Sequence, residues 1–303
     1  MQNRYENGGI TWIDLESPTR EEVQRVASEF SIEPLIAEEL VQPSSKPRAE
    51  RRRSYLYLVL HFPAVRHSHK SKEQEVDFVI GKTFLVTTHY DLIDPLHKFS
   101  KLFEVNSLLE KGAGSQHAGF LFFFMLKKLY QAVEHEIEHM ARAQQVIEDH
   151  IFAGHEVQMV EEISNNARGL LNLRQTIEPH RDILHSLEEE GGAFFGGEFV
   201  QYLRSLSNEY FRVHNHIMRS TESLHELRET NNSLLSTKQN ETMRVLTIMA
   251  LLTFPLSLMV AIFDINVVDN PFNYVPHGFA IIVGSVFVVG ILMLLMFKHK
   301  KWL

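Results

Sequence analysis

The sequence predicts an α+β cytoplasmic domain, an α/β sheet with long helical arms, followed by a two-helix transmembrane hairpin. Three observations carry that expectation. Residues 245–263 (VLTIMALLTFPLSLMVAIF) and 279–297 (FAIIVGSVFVVGILMLLMF) are nineteen-residue apolar runs with no charged side chain. As a helix, each extends roughly 28 Å, enough to cross the hydrocarbon core of a bilayer. The first 111 residues alternate between strand-length β-branched or aromatic runs and short helical segments. Beyond them the chain reads as helix, with no glycine or proline between residues 120 and 153 and no glycine between 198 and 277.

Taken in order, residues 11–15 (TWIDL) read as a strand, and Ser17-Pro18 as the cap and first turn of a helix reaching about residue 28. Residues 34–41 form a short helix. Residues 54–62 (SYLYLVLHF), 75–80 and 83–89 are strands, the last two joined as a hairpin at Gly81-Lys82. Asp94-Pro95 opens another helix, and Gly112-Ala113-Gly114 closes the α/β domain, 1–111. Lys46 to Arg53 (KPRAERRR) has the composition of a nucleic-acid patch, but reads more simply as a solvated loop leading into a strand. Helical arms follow over 115–197, the second from about residue 156 to 187 and weakened at Gly169 and Pro179. A stalk helix, 198–244, continues into the first span, 245–263. Pro255 is tolerated there, as prolines are within membrane helices.

Charge gives the orientation. Arg244 precedes the first span, and the tail 298–303 (KHKKWL) follows the second. The intervening loop, 264–278, has two aspartates and no Lys or Arg. Basic flanks stay inside, so both termini are expected in the cytoplasm of a multi-pass inner-membrane protein, with the loop outside and Trp302 at the inner lipid interface. The first residues lack the apolar core of a signal peptide. A net charge of -8 argues against nucleic acid as a general partner and leaves cations open as one. There is no cysteine, hence no disulfide or thiolate metal site.

Two helices cannot enclose a water-filled path, so a transport role requires an oligomer. Asn240, Met243, Thr247, Ala250, Phe254, Ser257, Ala261 and Asp264 recur every three or four residues and share one helical face. Polar rings broken by a hydrophobic constriction suit a gated cation pore. Small and hydroxyl residues that merely pack helices together account for the same periodicity equally well.

Residues 240–263 (NETMRVLTIMALLTFPLSLMVAIF), the acidic loop, the second span and the KHKKWL ending resemble the CorA-type divalent-cation channels. Residues 33–40 (EPLIAEEL) resemble that family's P-L-E-D-L helix, and 77–89 (DFVIGKTFLVTTH) its paired central strands. The resemblance covers most of the chain. It implies a funnel-shaped homopentamer with a central pore, moving Mg²⁺, Co²⁺, Ni²⁺ or Zn²⁺ without ATP, in keeping with the absence of a Walker motif. No cofactor is required, and the metal is transported or regulatory. By resemblance, Asn240, Met243, Leu246, Phe254 and Ser257 face the pore. The family's Gly-Met-Asn signature is replaced by Asp264-Ile265-Asn266, whose Ile265 matches the Gly-Ile-Asn variant of the ZntB-like zinc branch. These three residues are expected to form the selectivity entrance. Two further departures are Ala261 for a glycine and His277 for an acidic residue. The family senses cytoplasmic Mg²⁺ through carboxylates between subunits, which nominates Glu226 and Glu229. A differently selective or non-transporting oligomer (scaffold, sensor or mechanosensitive-type channel) stands as the alternative.

His135-Glu136-Ile137-Glu138-His139 is a literal H-E-x-x-H. Its histidines share a helix face and make a possible regulatory zinc pair, the protease reading lacking a third ligand downstream. Solvated helix surface is the simpler expectation there; most of the remaining histidines read as surface or packing residues, including His67 and His69, which share one side of a strand beside a turn.

Overall fold

A computed structural model of the chain describes residues 1–44, 46–64, 73–91, 93–104, 117–264 and 277–300. Six strands form one sheet in the order β1-β2-β6-β5-β4-β3. They are β1 (Gln2–Asn7), β2 (Ile10–Glu16), β3 (Arg48–Arg51), β4 (Tyr55–Pro63), β5 (Glu73–Gly81) and β6 (Phe84–His89). Only β2 and β6 run parallel; every other pairing is antiparallel.

The edges of the sheet differ from the sequence expectation. Gly8 and Gly9, at φ 58° and 77°, form a two-residue loop that pairs β1 with β2, the positive-φ pair a tight hairpin demands. The basic segment is not a solvated loop: Arg48 to Arg51 pair with β4 as β3. Three of its arginines meet carboxylates nearby. Arg48 binds Glu39 and Glu50, Arg52 binds Glu50 and Glu33, and Arg51 lies 3.5 Å from Glu190. Charged side chains on an edge strand also discourage pairing with foreign strands.

Helix α1 (Arg20–Phe30) starts later than Ser17-Pro18 suggests. Thr19 is the cap: its hydroxyl accepts the Glu22 N–H at 3.2 Å, while the Glu22 carboxylate accepts the Thr19 N–H at 2.9 Å. This reciprocal box satisfies two otherwise orphaned donors. Ser17 instead turns the chain at φ 42° and donates to the Tyr90 carbonyl at 2.7 Å. Helix α2 (Pro34–Glu39) follows. Val23, Val26, Ile36 and Leu40 of this region bury against one sheet face with Ile13, Leu15, Tyr57, Val59, Val79 and Val86.

The opposite sheet face meets α3 (Asp94–Glu104) and α4 (Gly119–Phe152). Phe99 packs edge-on to Trp12, and Phe122 edge-on to Phe78. The second arm is two helices, α5 (Glu156–Ile177) and α6 (His180–Phe195), broken at Pro179, which carries no N–H to continue the ladder. Gly169 does not weaken α5; the Met140 methyl sits 2.4 Å from where its Cβ would stand, so it admits α4 at close range. Gly196, at φ 106°, ends α6, and a 3₁₀ turn (Gly197–Phe199) leads into α7 (Val200–Asp264).

Helix α7 has 65 residues with Pro255 inside it, a length of about 98 Å. With α8 (Gly278–His299) it supplies two helices long and apolar enough to cross a membrane. The chain divides into two compact units, Met1–Arg228 and Glu229–Leu303, so the sheet and α4 to α6 lie in the same unit.

Candidate ion-conduction face

Within the second unit, α7 has two unlike faces. Ile248, Leu252, Pro255, Leu256, Met259 and Phe263 are half-buried and form one stripe. A Cβ built on Gly290 of α8 would lie 3.6 Å from Leu256, which places this stripe beside α8. About half a turn around the helix, at 3.6 residues per turn, lie Asn240, Met243, Leu246, Thr247, Ala250, Phe254, Ser257, Ala261 and Asp264. All nine are exposed in the single chain, Phe254 by 73%. The predicted face therefore lies within the wider arc that α8 leaves uncovered, an arc that also holds Met249, Leu251, Leu258, Val260 and Ile262.

That face mixes functions. The Thr247 hydroxyl donates to the Met243 carbonyl at 2.7 Å, which leaves its oxygen lone pairs facing outward as acceptors. Met243, Leu246 and Phe254 add bulk, whereas Ala250 and Ala261 leave room. Asp264 places a carboxylate at the end of this face. Ile265 and Asn266 lie outside the described residues.

Glu226 and Glu229 are exposed on α7. His135 and His139 are exposed on α4, with His135 Nδ1 3.4 Å from Glu138. Among the described residues, no three His, Asp or Glu side chains converge to hold a metal. His67 and His69 fall outside the described residues.

Sequence reading missed the buried polar groups of the first unit. His180, fully buried, accepts the Tyr130 hydroxyl at Nδ1 (2.9 Å) and donates from Nε2 to the His61 carbonyl (2.8 Å). Burial pushes its pKa down to about 4, so it is neutral. Thr87 donates to Asp14 at 2.6 Å, and His89 Nε2 lies 3.3 Å from the same carboxylate. Burial opposes the charged form of His89, but the hydrogen bond and charge of Asp14 raise its pKa overall. Between α4 and α7, Glu134 holds His216 at 2.8 Å. The available signal was polar residues inside otherwise apolar strands and helices, which spacing alone cannot pair.

An α+β unit followed by two helices long and apolar enough to cross a membrane, the first with an uncovered mixed face, has the make-up of a two-span membrane protein. A family model described as CorA-like Mg²⁺ transporter protein matches residues 7–299. The chain belongs to that family, one of divalent-cation transporters rather than enzymes. It is 25% identical over 303 residues to the cobalt/magnesium transport protein CorA of Thermotoga maritima, covering 97% of this chain and 83% of the relative. The putative metal ion transporter YfjQ of Bacillus subtilis is 24% identical over 292 residues, covering 96% of this chain and 89% of its own. The complete structure of the CorA magnesium transporter from Methanocaldococcus jannaschii superposes with a TM-score of 0.84 at 18% identity, covering 99% and 93% of the two chains.

Proposed function

We propose that this chain forms a homopentameric channel or transporter that moves Mg²⁺, Zn²⁺ or Co²⁺ across the bacterial inner membrane, with both termini in the cytoplasm. The observation that carries this reading is the uncovered face of α7 opposite α8. Copies arranged around an axis bring that face together and leave the α8 side to lipid. Asn240, Thr247 and Ser257 then offer oxygen atoms to a hydrated cation, the form in which Mg²⁺ travels because it gives up water reluctantly. Met243, Leu246 and Phe254 narrow the path, and an apolar ring closes by dewetting. Asp264, Ile265 and Asn266 stand at the outer mouth. Glu226 and Glu229, or His135 and His139, supply regulatory metal contacts. The names of the Thermotoga and Bacillus relatives, both metal-ion transporters, support the same reading.

Asp264 favours a second reading. A ring of carboxylates concentrates cations yet binds them strongly enough to slow release, which gives a differently selective oligomer, a scaffold or a sensor. Uptake of Mg²⁺, Zn²⁺ and Co²⁺ into liposomes carrying the purified protein separates the two. Transport predicts flux of at least one ion, altered in Asp264→Ala. No flux of any of them under several gradients supports the second reading.

A further inference from the structure

A buried patch between the sheet and α2 holds more carboxyl groups than it holds free positive charge. Glu75 and Asp77 lie two residues apart on β5, so they share the sheet face that carries Val79. They are 7% and 1% exposed. Glu75 is well supplied: it accepts the Ser44 N–H at 2.7 Å and faces His61 Nε2 at 3.2 Å. His61 Nε2 also lies 2.9 Å from the Ser44 carbonyl. Asp77 receives only the Tyr90 hydroxyl, at 3.4 Å, and no donor among the described residues reaches its Oδ1.

The other groups facing this patch do not supply a matching cation. Arg48, from β3, is bound by Glu39 of α2 and by Glu50. Tyr57, from β4, is wholly buried, and its hydroxyl has no hydrogen-bond partner among the described residues. The same Tyr90 hydroxyl lies 3.3 Å from the Glu39 carbonyl, which competes with Asp77 for its one proton. Glu73, near His61, adds further negative charge. A buried carboxyl with no donor on one oxygen favours its neutral form, the more so with a second carboxyl two residues along the same strand face.

We propose that buried Asp77 is held as the neutral acid, and that this acid, two residues from Glu75, is a pH-responsive clamp at Ser44. Glu75 grips the chain there through the Ser44 amide. Loss of the Asp77 proton places a new negative charge on the same strand face, and the grip on Ser44 loosens. The signs agree. Burial, then the Glu75 charge, raises the pKa of Asp77 well above the ordinary carboxylate value. The folded chain thus keeps a proton that the unfolded chain releases above about pH 4, and stability falls as pH rises from there. For His61, burial opposes the charge, but Glu75 outweighs it and raises the pKa. Its contribution is also lost on the alkaline side.

Infrared titration and amide hydrogen exchange of the full chain in detergent test the clamp. An un-ionised carboxylic acid band is expected at about pH 7 in the wild type and absent in Asp77→Asn, which imitates the neutral acid. In Glu75→Gln the band is expected to titrate at least about tenfold more readily, the effect of removing a neighbouring charge. Opening of the Ser44 amide, corrected for intrinsic exchange, is expected to increase toward about pH 9 in the wild type and stay flat in Asp77→Asn. A missing neutral-pH band, a band unchanged in Asp77→Asn, or parallel opening curves for the two proteins would overturn the proposal.

Discussion

At the scale of single residues, stability depends on where polar atoms sit against apolar surroundings. His180 bridges Tyr130 and the His61 carbonyl while remaining neutral. With a folded pKa of about 4, it refuses a proton that the unfolded chain accepts near pH 6.5, so stability is lost as pH falls between those values, by about 3 kcal/mol. His180→Gln keeps one donor and one acceptor without titrating. It is expected to flatten the acid limb of a thermal-melt series, whereas His180→Ala leaves Tyr130 unpaired and lowers stability by about 2 kcal/mol or more. In the membrane unit, Phe254→Ala is expected to raise liposome flux by removing bulk from the proposed constriction. Asp264→Gly is expected to change the ratio of Mg²⁺ to Zn²⁺ uptake. Equal flux in the wild type and both variants would place these side chains away from the ion path.

At the scale of elements, stability and legibility follow the same physics. Thr19→Ala removes one half of the capping box on α1 and is expected to lower stability by about 1 kcal/mol, read from the melting midpoint of the detergent-solubilised chain. The long helices were legible because uninterrupted periodicity is a strong signal, and the membrane spans because charge is absent from them. The edge strands were not. β1 (QNRYEN) and β3 (RAER) carry polar sequences without strand alternation, and they exist because neighbouring strands offer them hydrogen bonds. The Asn7-Gly8-Gly9 turn was nevertheless a readable hairpin signal. The start of α1 was misjudged because Ser17 and Thr19 both qualify as caps by composition. Only the Glu22 reach-back chooses between them. The candidate conduction face was readable from three- and four-residue spacing, but its exposure opposite α8 was not, since that requires knowing which stripe α8 covers.

At the scale of the whole molecule, the central claim is that the uncovered face of α7 lines a cation path shared by several copies. The mass of the detergent-solubilised complex is expected to equal five chains of 35.1 kDa plus bound detergent and lipid. A monomer would leave no enclosed route for an ion. The chain contains no cysteine, so single cysteines can be introduced without background. The most direct measurement is therefore thiol modification of Thr247→Cys, Ala250→Cys and Ser257→Cys, compared with Leu252→Cys and Leu256→Cys, using a charged, membrane-impermeant reagent during divalent-cation uptake. The first three are expected to react and to lose flux on modification, and the latter two to do neither. Modification and block at positions 252 and 256, with none at 247, 250 and 257, would contradict the claim.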